Sequence, residues 1–390
     1  MTSEARPATD IPDARYIERL HRAQALIRER DGGALLIGLG AELRYLTGYA
    51  PPDTERLTML VLLPARRPTI VVPRLEGMAA GDAPAMRADE LSVLTWDETD
   101  DPHPIVARLV GADVTPVGAK VLLNDRLRAS HVLALQRALP DRAFGLANEV
   151  LRELRMVKDE DEIALLRLAA QAADRVIDQI ASGRLIGRTE EDVAGEVRDR
   201  LIAEGHETAD FAIVASGPNS ASPHHQASDR VIQAGEPIVL DIGGVLAGYC
   251  SDTTRTLWVT GGDPANGPDE EFRRIFELVR EAQAEASSAV RAGMPCERVD
   301  EIARRIIKSG GYGAQFVHRL GHGIGLEVHE DPYLVEGNEE PLPVGAAFSV
   351  EPGIYIDGRY GARIEDIVVC GPDGPIALNE SSRDLRIVDG

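Results

Sequence analysis

Cysteine is scarce: there are only three, Cys250, Cys296 and Cys370. The number is odd and no pair has C-x-x-C spacing, which excludes a disulfide framework and a zinc–thiolate site. Buried free thiols in a reducing compartment fit that usage. Long apolar runs are missing too. No stretch approaches the ~18 apolar residues that a spanning helix needs. Residues 1–13 are polar, contain proline and lack the apolar centre of a signal peptide. The expectation is a cytoplasmic protein without a membrane partner. Positive charge is also short. The 42 Lys and Arg residues face 64 Asp and Glu, a net charge of −22. Nucleic acid and anionic lipid both require a cationic face, so neither is expected as a partner. Most of the acidic excess reads as solvated surface. No low-complexity tract interrupts the chain.

A hydrophobic fraction of 44% and a mean hydropathy of −0.15 describe an ordinary soluble globule. At 390 residues the chain is long enough for two domains. Residues 16–30 carry apolar side chains at helical spacing and end at Asp31-Gly32-Gly33. Short apolar runs at 34–37, 57–63, 69–72, 91–94 and 120–123 read as strands, with helices at 104–110 and 129–138 between them. This predicts an α/β domain with a central sheet over residues 1–155. It contains no catalytic constellation, and Gly38-Leu39-Gly40 is too little for a nucleotide loop.

The pattern changes near residue 155. A charged run at 159–162 leads into a helix to about 180. A second helix over 190–204 follows, and Thr189 with Asp192 resembles a capping box in which Asp replaces the usual Glu. Strands are expected at 211–215, 237–242, 254–259, 348–356 and 364–369, and helices at 269–291 and 297–308. Two helix pairs with two sets of strands suggest an internal duplication within a second domain, 156–390.

That second domain holds Asp241, Asp252, His322, Glu351 and Glu365. Their frames are Val239-Leu240-Asp241-Ile242-Gly243, Ser251-Asp252-Thr253-Thr254, Gly321-His322-Gly323-Ile324-Gly325, Val350-Glu351-Pro352-Gly353 and Arg363-Ile364-Glu365-Asp366. Unpaired carboxylates in apolar surroundings cost several kcal/mol each, and bound cations would offset that cost. Asp241 and Asp252 fall on two strand-like segments joined by a turn at 243–248, so a hairpin could set them face to face. Glu351 and Glu365 flank a turn-rich stretch and form a second such pair. Carboxylates with one imidazole favour Mn²⁺, Co²⁺, Fe²⁺ or Zn²⁺. Four carboxylates can bridge two cations roughly 3.5–4 Å apart. Each residue alone has a plainer structural explanation; the joint order and framing carry the signal.

Those frames resemble the metal-dependent pita-bread peptidases, which include methionine aminopeptidase, Xaa-Pro aminopeptidase and Xaa-Pro dipeptidase (prolidase). All five ligand positions match in order, over about 150 to the C-terminus. The domain before them resembles in layout the N-terminal domain of the creatinase, prolidase and Xaa-Pro aminopeptidase branch. The resemblance implies a creatinase-like α/β domain, 1–155, followed by an α+β pita-bread catalytic domain, 156–390. It implies two divalent metal ions, Mn²⁺ first among the candidates. Asp241 would hold one ion, His322 and Glu351 the other, with Asp252 and Glu365 bridging. The implied activity is cleavage of an Xaa-Pro peptide bond by a metal-activated hydroxide. Glu351 would shuttle the proton, His224 and His329 would donate to the developing oxyanion, and His318 and Arg363 would support the site. His225 is the lesser candidate of the neighbouring pair. The implied partners are small peptides with proline second, and a second copy in a homodimer.

Two departures bear on specificity. Some prolidases grip the dipeptide carboxylate with an arginine soon after the His-Glu-x-Pro motif, where this chain reads Pro332-Tyr333-Leu334-Val335-Glu336. Dipeptidase and aminopeptidase action on longer peptides therefore both stay open. Creatinase lacks the metal ligands, and all five are intact here, which disfavours a creatine substrate. A hydrolase or lyase of a small non-peptide metabolite, and a non-catalytic binding module, are the remaining alternatives.

Overall fold

The N-terminal apolar runs pair into one mixed sheet of six strands: β1 (Gly32–Ile37), β2 (Met59–Leu62), β3 (Thr69–Pro73), β4 (Ser92–Trp96), β5 (Lys120–Leu123) and β6 (Phe144–Leu146), in the order β4-β3-β2-β1-β5-β6. β1 lies in the interior of that order and is buried at every position, as a near-continuous apolar strand requires. One core sets Leu36, Val61, Val71 and Val121 against Val106, Val110 and Leu135. The computed structural model describes residues 10–30, 32–111 and 118–389. Within it, Ile11–Arg155 forms one compact unit and Met156–Gly390 is the body of the other. The first helix runs Asp13–Glu29; the expected stop at Asp31, and most of the expected tail at 1–13, lie outside the described residues. Only short elements of this unit escape the sequence pattern, among them β6 and the helices Ala41–Thr47, Gly77–Gly81, Pro84–Arg87 and Asn148–Met156. A three-residue strand has too little length for alternation to show, and a seven-residue helix spans barely two turns.

The second unit contains two helix pairs, each followed by a set of strands. Helices Glu160–Ala181 and Glu190–Ala203 precede β7 (Thr208–Ser216), β8 (Glu236–Leu246) and β9 (Tyr249–Val259). Helices Glu270–Ala289 and Cys296–Ser309 precede β10 (Gly321–Gly323), β11 (Glu330–Leu334), β12 (Ala347–Val350), β13 (Gly353–Ile356), β14 (Tyr360–Arg363), β15 (Asp366–Cys370) and β16 (Pro375–Ala377). The last strand, β17 (Arg386–Val388), returns to pair in parallel with β9. The Thr189 capping box forms both arms: the Asp192 amide donates to Thr189 Oγ1 at 3.1 Å and the Thr189 amide donates to Asp192 Oδ2 at 3.2 Å. A shorter carboxylate still reaches the N-cap amide.

β8 and β9 explain how carboxylates come to be buried. Alternate residues Ile238, Leu240 and Ile242, with Leu257 and Val259, pack onto the first helix pair. The opposite face of the ladder carries Asp241, Asp252, Thr254 and Thr256, all buried. The connecting turn is shorter than the sequence implies. It is Ala247-Gly248, at φ 50° and 84°, and both strands run on to meet it. The glycine at 243 belongs to the strand: a Cβ there would lie 2.3 Å from the Phe211 ring. What reads as turn composition is a close approach between strands. In this register Asp241 opposes Thr254 and Asp252 opposes Gly243. The two carboxylates are thus diagonal neighbours on one face rather than directly opposed.

The second pair is arranged differently. Val350 pairs with Asp366 and Gly353 pairs with Arg363. The ladder breaks between these pairs, at Glu351-Pro352 and Ile364-Glu365, and proline explains the break because it has no amide to donate. The expected continuous strands at 348–356 and 364–369 are therefore interrupted, and both glutamates stand in the gap. An isolated bridge ties Glu365 to Thr254 on β9, joining the two sets of strands.

Candidate metal centre

A cleft of about 450 Å³ opens over the buried acids. Its walls include all nine residues singled out by sequence: Asp241, Asp252, His322, Glu351, Glu365, His224, His329, His318 and Arg363. His225 does not line it. Asp252, His322 and Glu365 each present a ligand atom, and these atoms lie within 4.8 Å of one another. His322 Nε2 is 3.3 Å from Glu351 Oε1 and 3.6 Å from Asp252 Oδ2.

The backbone sets these positions. Gly321 brings the His322 strand against β12, where a Cβ would lie 1.9 Å from the Ser349 carbonyl oxygen. The His322 amide then donates to Ser349 Oγ at 3.1 Å, and that hydroxyl donates to Glu351 Oε1 at 3.2 Å. His322 Nδ1 faces the Gly323 carbonyl at 3.2 Å, which assigns the proton to Nδ1 and turns the Nε2 lone pair toward the carboxylates. Burial holds this ring neutral by moving its pKa down to about 3. Thr254 Oγ1 donates to Glu365 Oε2 at 2.7 Å.

A hydrogen-bonded chain supports the far side. Arg363 Nη2 donates to Asp241 Oδ2 at 2.6 Å and Nη1 donates to the Tyr355 hydroxyl at 2.8 Å. That hydroxyl meets His318 Nε2 at 3.0 Å, and His318 Nδ1 meets the Arg319 carbonyl at 2.8 Å. Since the Tyr355 oxygen accepts from Arg363, its proton points to His318 Nε2 and the His318 proton resides on Nδ1. Burial, with Arg363 nearby, lowers the His318 pKa to about 4, in keeping with that neutral tautomer. The His322 and His329 rings meet edge to face with centroids 4.2 Å apart.

The donors fit divalent cations. A neutral imidazole lone pair facing two carboxylates is unfavourable unless a proton or cation lies among them. Asp241 Oδ1 is buried and has no hydrogen-bond partner among the described residues. Burial, then the neighbouring acids, raise the pKa values of Asp252 and Glu365 well above the ordinary range. Glu351 is pushed up to about 7, chiefly by burial and against the pull of Arg363. Four carboxylates stacked this closely cannot all be ionised without a counter-charge. Oxygen-rich donors with one nitrogen match first-row divalent ions.

Comparison with known proteins agrees with this chemistry. Residues 164–372, more than half of the chain, match the model of metallopeptidase family M24. The chain belongs to that family. Residues 19–157 match the creatinase/prolidase N-terminal domain, so this M24 protein joins a creatinase-type domain to a pita-bread catalytic domain. The crystal structure of dipeptidase PepE from Mycobacterium ulcerans is similar at a TM-score of 0.89 and 42% identity, covering 97% of this chain and 99% of that one. A recombinant prolidase from Thermococcus sibiricus is similar at a TM-score of 0.87 and 36% identity, covering 96% and 99%. The Xaa-Pro dipeptidase of Lactobacillus helveticus is 33% identical over 376 residues, 95% of this chain and 98% of the relative.

Sequence reasoning on this M24 chain missed Glu190, Tyr355 and Arg319. Glu190 is fully buried. It accepts from the Ser216 amide and hydroxyl, Asn219 Nδ2, the Ser228 amide and hydroxyl, and His225 Nε2 at 2.7 Å. Burial pushes its pKa up, yet those donors outweigh burial and hold it at about 2. Glu190 thus fastens the 216–228 segment, which presents His224 to the cleft, and His225 is a strut of that anchor. The available signal was Glu190 itself, an acid at the first position of a helix beside a buried strand end. Replacing Glu190 by Ala would strand several buried donors, at a cost of roughly 3–5 kcal/mol. Urea denaturation measures this; an unchanged midpoint would show that the anchor is dispensable.

Proposed function

We propose that this chain hydrolyses the Xaa-Pro bond of dipeptides, using two divalent cations held by Asp241, Asp252, His322, Glu351 and Glu365. The observation that carries this reading is the gathering of these five donors at one cleft, with an unsatisfied Asp241 oxygen and a lone pair on His322 turned inward. Relatives similar along nearly the whole chain are named prolidase and Xaa-Pro dipeptidase. In this reading the catalytic machinery is contained in 156–390, with 1–155 as its creatinase-like companion.

Bound divalent cations supply Lewis-acid polarisation of the scissile carbonyl and lower the pKa of a bound water. Asp252 and Glu365 would be shared between the cations, with Asp241 holding one and His322 and Glu351 the other. Arg363 keeps Asp241 in place through its 2.6 Å hydrogen bond. Glu351 takes the proton of the attacking water and delivers it to the leaving nitrogen. His224 and His329 donate to the carbonyl oxygen as it gains charge. Phe211, Ile213, Pro223 and Val328 give the cleft an apolar wall suited to a proline ring. An Xaa-Pro bond offers no amide hydrogen, so a site that grips the ring and the carbonyl can use it. Mn²⁺ is the expected ion, the cytoplasm the expected location and a homodimer the expected assembly.

Release of proline from Ala-Pro, measured with Mn²⁺ and after chelation, tests the proposal; no release with metal bound would sink it. His224→Ala is expected to slow kcat by roughly 100-fold, as for loss of one oxyanion donor, with metal content unchanged by elemental analysis. A large loss of metal would instead make His224 a ligand.

A further inference from the structure

The cleft contains two guanidinium groups among its described lining residues, Arg363 and Arg319. Arg363 is fully engaged: its nitrogens donate to Asp241, Tyr355, Thr254 and the Pro223 carbonyl. Arg319 is not. Its carbonyl accepts from His318, but among the described residues no carboxylate or carbonyl accepts from its guanidinium. Instead its Cζ lies 4.4 Å from the centroid of the Tyr333 ring. Tyr333 is the cross-strand partner of His322, so the stacked guanidinium stands beside the acid cluster.

We infer that Arg319 grips the free C-terminal carboxylate of the substrate and makes this site prefer dipeptides to longer peptides. The inference rests on the function proposed above. The Tyr333 ring supports the guanidinium without taking any of its N–H donors, which leaves them for a carboxylate that arginine can bind through two hydrogen bonds. The rest of the cleft argues the same way. With two divalent cations offsetting the four carboxylates, a substrate carboxylate still needs a donor of its own, and Arg363 is already committed. The loop Pro332-Tyr333-Leu334-Val335-Glu336 supplies no arginine. Tyr333 occupies that loop and acts as the platform, while the cation comes from the segment before His322. A longer peptide places a neutral amide where a dipeptide places its carboxylate, and loses that contact.

The test compares Ala-Pro, Ala-Pro amide and Ala-Pro-Ala as substrates of the Mn²⁺-loaded wild type, Arg319→Ala and Arg319→Gln. Wild type is expected to favour Ala-Pro. Both variants are expected to lose about 10- to 100-fold in kcat/KM on Ala-Pro, mostly through KM, as for loss of a charge-assisted contact. Turnover of the amide and the tripeptide, and metal bound per chain, should stay unchanged. The Gln variant keeps side-chain length and polarity, and decides the matter should the Ala variant fail to fold. An unchanged ratio of Ala-Pro to amide in the variants, or an equal loss on all three substrates, overturns the inference while leaving the peptidase intact. A wild type that cleaves none of the three overturns both.

Discussion

Asp252→Asn and Glu365→Gln should each abolish peptide hydrolysis while leaving the metal-free fold as stable as before, or more so. The first half follows from chemistry. Each substitution removes an anionic ligand oxygen from the centre of the cluster, where Asp252, His322 and Glu365 converge within 4.8 Å. A bound cation contributes several kcal/mol of transition-state stabilisation, so its loss corresponds to roughly 1,000-fold or more in rate. The second half follows from electrostatics. Burial, and then the other acids, raise the pKa of both carboxyls, which marks them as unfavourable charges in the metal-free chain. A neutral amide of the same shape relieves that repulsion, and Thr254 Oγ1 can still donate to an amide oxygen at 365. Steady-state kinetics, elemental analysis and thermal melting after chelation check the two halves together. Retained activity in both variants would refute the assignment of these positions. Collapse of the metal-free fold would make the acids structural.

Stability of the metal-free protein should fall as pH rises above about 6.5, through the value near 7 at which Glu351 titrates and on while Asp252 and Glu365 still hold protons, and added Mn²⁺ should reverse the slope. The window lies above the ordinary histidine range for a reason. His318 and His322 have depressed pKa values in the folded state, so they favour folding increasingly up to about 6.5 and add nothing beyond it. Acids behave oppositely here. Glu351 titrates near 7 instead of its usual 4.5, because of its burial, and Asp252 and Glu365 are raised as well. Above pH 6.5 the unfolded chain has already released these protons while the folded chain still holds some. Folding then binds protons, and stability declines by about 1.4 kcal/mol per pH unit for each carboxyl still protonated. A cation that requires the ionised carboxylates competes with those protons, so its stabilisation grows with pH. Thermal melts at three pH values, with chelator and with Mn²⁺, measure both slopes. Parallel slopes under the two conditions would mean that cations do not bind at these acids.

How far the sequence reached is clear from particular residues. Asp241, Asp252, His322, Glu351 and Glu365 were legible because each sits in a short frame that an ordinary core would not tolerate, and the frames recur in one order. His224, His329, His318 and Arg363 were expected only from the resemblance to the pita-bread peptidases, and the structure places all four on the wall of the same cleft. The glycines at 243 and 244 were misleading, since composition cannot distinguish a turn from a crowded strand. Glu190 gave little warning: its partners come from a helix start, a strand end and a loop up to 38 residues away. Arg319 gave none, because a surface arginine and an uncommitted one in a cleft look identical in a sequence.

The sequence by itself determined the kind of chemistry, because ligand identity is a property of side chains and several acids gathered in apolar surroundings call for a counter-charge. It also determined which strands of the N-terminal sheet are buried, through their short apolar runs. Only the tertiary structure decided how the acids face one another: diagonally across β8 and β9, and across a proline-broken gap between β12 and β13. Only it decided which arginine is engaged and which is left for a ligand, because hydrogen bonds between residues more than a hundred positions apart exist only once the chain has folded.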